Sequence, residues 1–275
     1  MKHRKPFDVF LSIITYGAAL IAVSTLVFLI GYIVIKGLPN MRPSLFSLHY
    51  TSENVSMIPA FITTVEMTIL SLSIAVPLGV FTAIYLVEYA KRGNKLVGII
   101  RVTAETLSGI PSIVYGLFGM LFFVSTLGFG FSLIAGALTL SIMILPLIMR
   151  TTEEALKSVP DSYREGAFGL GAGRLRTVFR IVLPAATPGI LSGIILAIGR
   201  IVGETAALIY TAGTVAQTPQ QLTDSARTLA VHMYALSSEG LHTDAAYATA
   251  LILLIMVIGI NALASYAAKK LTKGR

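Results

Sequence analysis

The 275-residue chain contains no cysteine, so it has no disulfide framework, no thiolate metal site and no cysteine nucleophile. Charge is also scarce. Asp, Glu, Lys and Arg make up 12% of the residues, against about 25% in ordinary soluble domains. With 55% hydrophobic residues and a mean hydropathy of +0.81, this is the composition of an integral membrane protein. The short motifs of catalysis are missing too. No G-x-x-x-x-G-K-[ST] run is present to cradle a nucleotide's phosphates. Gly169-x-Gly171-x-Gly173 has the wrong spacing for a dinucleotide fingerprint and follows a helix rather than a strand. Neither H-E-x-x-H nor G-x-S-x-G occurs, so the chain is not read as an enzyme.

Six segments are long and apolar enough to cross a bilayer, which takes about 20 residues each. They are Leu11–Ile35, Phe61–Val87, Val102–Leu127, Phe129–Met149, Pro188–Ala212 and Ala245–Ala268. The third and fourth are joined around Gly128 as a tight hairpin. The first continues past the length of a signal h-region without a small-residue cleavage site, which suits a spanning helix. The sequence therefore predicts an all-α, polytopic membrane fold in three parts. Residues 1–60 hold an N-terminal tail, the first span and an outer loop; 61–268 form the transmembrane core; 269–275 are a tail.

The net charge of +8 would point to nucleic acid in a soluble protein. Here its distribution gives another reading. Seventeen of the 21 Lys and Arg fall in the N-terminus, Glu88–Arg101, Arg150–Thr187 and the C-terminal tail. Lys36, Arg42 and Arg227 lie on the other side, and Arg200 lies within a span. By the positive-inside rule both termini face the cytoplasm, as an even number of spans requires. No nucleic-acid partner is expected. His232, Glu239, His242 and Asp244 have no tight ligand spacing and read as a solvated outer loop.

Arg164 to Pro184 is a basic interruption in this apolar chain. Pro160 and Asp161 stop what precedes it, and Ser162 with Glu165 fits a capping box. Gly169, Gly171 and Gly173 allow a turn, and Arg174–Val182 reads as a second, amphipathic helix stopped at Pro184. Such an element on a membrane protein's surface is suited to docking.

Within the spans the ionisable residues are Glu66, Glu105, Arg200 and Glu204. Glu66 and Glu105 sit near helix ends, within reach of water. Arg200 lies twelve residues past Pro188, about 18 Å along a helix, with Glu204 one turn further on. The two can form a structural ion pair, or Arg200 can meet an oxyanion with its planar fork of donors. Pro111 removes one N–H and leaves the Leu107 carbonyl without its helical donor, so the third span should bend or break there. With Ser108, Ser112 and Tyr115 this break reads either as a pathway wall or as a packing kink. Gly193, Ala197, Gly199 and Gly203 give the fifth span a small-residue face for close helix contact.

The spacing Glu165-Gly166-Ala167, three residues, Gly171, nine residues, Ile181-x-Leu183-Pro184 resembles the EAA loop of ABC importer permeases. Gly166 replaces the first Ala of that consensus. The run from Gly199 to Ala206 resembles the GRxxGET signature of phosphate-specific ABC permeases. Leu107–Gly116, Tyr163-Arg164-Glu165 and Leu183–Ile190 also resemble that family. Glu204–Leu208 and Thr228–Tyr234 look like its A-type subunit, with Ala230 where Pro is usual.

The resemblance implies a type I permease fold of six transmembrane helices in the cytoplasmic membrane. It makes Glu165, Gly166, Ala167, Gly171, Ile181, Leu183 and Pro184 a coupling helix for a separate ATPase. A substrate pathway is implied at Arg200, Glu204, Thr205, Ser108, Ser112 and Tyr115. The implied partners are a second homologous permease, two ATPase subunits that bind ATP and Mg, an external phosphate-binding protein and the lipid bilayer. This chain would hold no cofactor or metal of its own. Two other readings stay open: a permease for another oxyanion such as sulfate or molybdate, and an ATP-independent channel or scaffold.

Overall fold

The computed structural model describes residues 6–91 and 93–273. The expected tail Met1–Lys5, Arg92 and residues 274–275 lie outside the described residues. Every regular element among the described residues is helical. Helix α1 (Pro6–Gly37) is apolar all round, and none of its most apolar stretch is buried by the rest of the chain. It meets the bundle near its end, where Gly37 packs on the backbone of Tyr247 and the side chain of Leu251. Tyr32 also meets the Tyr247 ring edge-on at 5.9 Å.

Helix α2 (Ile58–Ile84) continues as a wide π turn over Tyr85–Tyr89. Its small and hydroxylated face lies along α5 (Leu133–Lys157), which starts at Ser132, whose Oγ caps Ala135 N–H. Several hydroxyls in this interface bond to nearby carbonyls, as membrane depth favours, while Ser71 Oγ and Thr63 Oγ1 are buried without a partner among the described residues. Thr64 and Thr68 donate to carbonyls one turn back, and Ser141 Oγ donates to Ser71 O across the pair at 3.1 Å.

The predicted third span is divided. Helix α3 (Lys95–Ser108) and α4 (Ser112–Gly119, extended by a π segment to Thr126) meet at 103° across Gly109–Pro111. With that pair counted as one, there are six candidate spans among the described residues. The freed Leu107 carbonyl is not left bare. Ile110 N–H donates to it at 3.1 Å in a tightened last turn, and Tyr115 Oη, four residues past the proline, adds a second bond at 2.9 Å.

Three expectations about boundaries need correction. Helix α5 does not stop at Met149 but runs on to Lys157. Pro184 does not stop a helix: α7 (Arg174–Thr177), a π turn at Val178–Val182 and α8 (Leu183–Val202) form one 29-residue rod. Leu183 N–H donates to Val178 O across the wide turn, which admits a proline without a donor. The fifth span also ends early, at Gly203, instead of reaching Ala212. Close α8–α5 contact is made at Gly189, where an added Cβ would lie 2.6 Å from that of Ala155. Gly193 faces Thr151, so part of the small-residue face is used inside this chain.

Helix α6 (Asp161–Gly169) lies between α5 and α7, and α9 (Ala206–Ile209) follows α8. The segment expected to be a solvated outer loop contains α10 (Leu229–Glu239), and α11 (Thr243–Lys273) closes the bundle. The buried apolar residues form three clusters along the bundle axis. A central one holds Met67, Leu140, Ile144 and Ile201. One at the α6 end holds Ile84, Leu156, Val178 and Val182. One at the opposite end holds Val55, Met57, Val202 and Leu229.

Candidate functional site

Pro160 and Asp161 set the start of α6 two residues earlier than expected, with Pro160 rather than Ser162 at the cap position. Ser162 is therefore inside the helix, and no side chain caps its N-terminus; the capping box does not form. Ala167 is the only buried residue among the nine of α6, while Glu165 and Gly166 are exposed. At the far end Leu170 has 91% of its surface open, and Gly171 turns the chain at φ +81°. That left-handed conformation is strained for any residue with a Cβ. Beyond the turn, Ile181, Leu183 and Pro184 are half-buried, and Leu183 packs against the cluster at the α6 end. The motif thus divides into an exposed tip (Glu165, Gly166, Gly171) and a packed root (Ala167, Ile181, Leu183, Pro184).

The root is held by more than apolar contact. Arg164 Nη2 donates to Glu88 Oε1 at 2.7 Å and to Leu156 O at 2.9 Å. Its Nη1 donates to Val159 O at 2.8 Å and to Asp161 Oδ1 at 3.2 Å. Sequence reasoning assigned Glu88 to a basic linker and gave it no role. The available signal was a lone acid at the end of an apolar run, with an unassigned arginine beside the motif. Arg174 lies over the Tyr89 ring at 5.8 Å, adding a second tie.

At the other end of α8 the expected Arg200–Glu204 pair is absent: no ion pair joins them among the described residues. Gly203 ends the helix, so Glu204 is no longer one turn along the same face. Its Oε1 accepts from Ala207 N–H at 3.0 Å and ties down the start of α9. Arg200 is half-buried in the last turn of α8, where the helix dipole favours a cation by about 0.3–1 kcal/mol.

The remaining pathway candidates are not gathered into one cavity. Thr205 lines a space of about 620 Å³ with Ile113, Tyr210, Tyr234 and Tyr247. Ser108 lines a different one, of about 230 Å³, with Arg101, Glu105, Glu153 and Lys157. There Glu153 is paired at 2.6 Å with both Arg101 and Lys157. Ser108 Oγ is also committed to Ala104 O. Ser112 is half-buried at the start of α4, and Tyr115 serves the Leu107 carbonyl. Glu105 is exposed, but Glu66 is half-buried with Oε2 unpartnered. No cluster of three His, Cys, Asp or Glu able to hold a metal exists among the described residues. His232 is not in a solvated loop; it is fully buried.

A bundle of spans broken at a proline, with a small helix projecting at one end, defines the class: an ABC importer permease. Residues 75–274 match the family described as binding-protein-dependent transport system inner membrane component, and the chain belongs to that family. It is 36% identical over 248 residues to the probable ABC transporter permease protein YqgI of Bacillus subtilis, covering 83% of this chain and 82% of that one. It is 45% identical over 139 residues to the phosphate transport system permease protein PstA of Mycobacterium leprae. That match spans 50% of this chain and only 45% of the relative. Among solved structures, a bacterial alginate importer superposes with a TM-score of 0.70 at 17% identity, covering 96% of this chain and 97% of its own. The methionine importer MetNI gives 0.60 at 20% identity, over 78% and 93%.

Proposed function

We propose that this chain is one permease subunit, of the A-type, in an ATP-driven importer of inorganic phosphate. Its α6 end and both termini face the cytoplasm, consistent with the excess of Lys and Arg there. A second permease, two ATPase subunits and an external phosphate-binding protein complete the machine. ATP and Mg belong to the ATPases. The exposed tip at Glu165, Gly166 and Gly171 enters the ATPase, and its displacement switches the spans between outward and inward openings. Similarity to permeases named for phosphate transport supports the substrate.

Arg200 carries the reading. It is an arginine at the end of a span with no ionic partner among the described residues, since Glu204 is engaged by α9. A guanidinium stays protonated when buried and presents parallel donors to an oxyanion. Phosphate passes Arg200 without having to displace a carboxylate from it. Reconstituted complexes carrying Arg200→Ala should assemble normally and lose phosphate uptake. Normal uptake by that variant would remove Arg200 from the mechanism. Uptake of sulfate or molybdate in place of phosphate would refute the substrate.

A further inference from the structure

The attachment of α6 to the bundle is narrow. Ala167 is its only buried residue, and the flanking strands of chain are short. Yet a helix that transmits force must be joined stiffly to what it moves. Arg164 supplies the join. Its side chain is 15% exposed and that of Glu88 8%. Glu88 belongs to the π turn that extends α2, and Leu156 and Val159 belong to the end of α5 and the turn after it. One guanidinium therefore bonds to α2, α5 and α6 together: Nε and Nη2 to the Glu88 carboxylate, Nη2 to Leu156 O, and Nη1 to Val159 O.

Removing two charges from water makes such a pair a poor source of stability. What it does supply is geometry. Planar donors at fixed angles hold three elements at one relative orientation, which a lysine's point charge does not. Beyond Glu88, α2 packs along α5 through two buried clusters, from Met67 to Ile84. Close-packed side chains pass a displacement on with little loss.

We propose that the Arg164–Glu88 pair is the mechanical link that carries displacement of α6 into α2 and α5. Arg164 is thus a positioning residue for coupling, distinct from the tip that meets the ATPase. The proposal rests on α6 being the docking element.

The test uses the whole complex in lipid vesicles with inorganic phosphate as the probe, comparing wild type with Glu88→Gln and Arg164→Lys. Glu88→Gln should retain the ATPase and hydrolyse ATP within about twofold of wild type, while phosphate moved per ATP falls at least tenfold. Arg164→Lys, which keeps the charge and loses the fork, should show the same fall. An unchanged ratio in both variants would overturn the link. So would hydrolysis and uptake falling in step, or loss of the ATPase from the variant complex, since each marks a merely structural role. A second readout does not depend on the substrate. The chain has no cysteine of its own, so once any cysteines of the other subunits are replaced, spin labels at Ser162→Cys and Phe81→Cys report on α6 and α2. Their separation should stay constant when ATP binds the wild-type complex and change in Arg164→Lys; equal behaviour would overturn the proposal. A wild-type complex that retains no ATPase would defeat the docking reading itself, before any variant is compared.

Discussion

His232 should make the fold sensitive to acid. It is fully buried on α10, beside the Arg227 guanidinium and the edge of the Tyr50 ring, which lies 6.1 Å away. Arg227 is itself buried, with Nε and Nη2 unpartnered and its guanidinium over Tyr50 at 4.8 Å. Burial first, and the Arg227 charge second, push the His232 imidazole down to about 3; the Val55 backbone offers only partial relief. Unfolded, the same group titrates near 6.5. The unfolded chain thus binds the proton more readily, so this contribution to stability is complete above pH 6.5 and is lost as the pH falls toward 3. At pH 5 the unfolded imidazole is 1.5 units below its pKa, worth about 2 kcal/mol. Thermal unfolding of the purified chain by circular dichroism at pH 7 and pH 5 should show a drop of about 4–8 °C from this group. The other titrating groups are common to wild type and His232→Leu, so the difference between the two proteins isolates it. An equal drop in His232→Leu would refute the argument.

Gly171→Glu should abolish co-purification of the ATPase, because the side chain needs a φ the backbone there does not have and would project from the tip; wild-type recovery would count against the tip. Tyr115→Phe should lower stability by about 0.5–1.5 kcal/mol, seen in melting, because the Leu107 carbonyl loses one of its two donors and keeps the Ile110 N–H. Gly116→Val should cost about 1–3 kcal/mol or more, since even a Cβ would stand 2.8 Å from the Ala207 backbone. Its melting curve checks this.

Long apolar runs are read easily because bilayer thickness sets their length, and the spans were legible for that reason. Pro111 also announced its break, since a missing N–H is written in the sequence. The acceptor it freed was predictable, whereas Tyr115 as a donor added to Ile110 N–H depended on the 103° bend. Pro184 gave the opposite result. A proline looks like a stop, but one extra residue in a π turn at Val178–Val182 lets the helix pass it, and no residue type marks such turns. The Arg200–Glu204 pair failed at Gly203, a glycine readable equally as a packing contact or as a helix end. The Ser162–Glu165 cap failed by two residues of register, the cap position falling on Pro160. Glu88 and Arg164 are 76 positions apart, so only the folded chain brings them together.

Leu170, with 91% of its surface bare, has a consequence for the cell that makes this protein. A leucine presented on a tight bend outside the spans resembles the flags by which chaperones and proteases recognise orphaned chains. Copies synthesised beyond the supply of whatever shields that bend would be cleared. Subunit numbers would then be balanced by turnover as well as by gene expression.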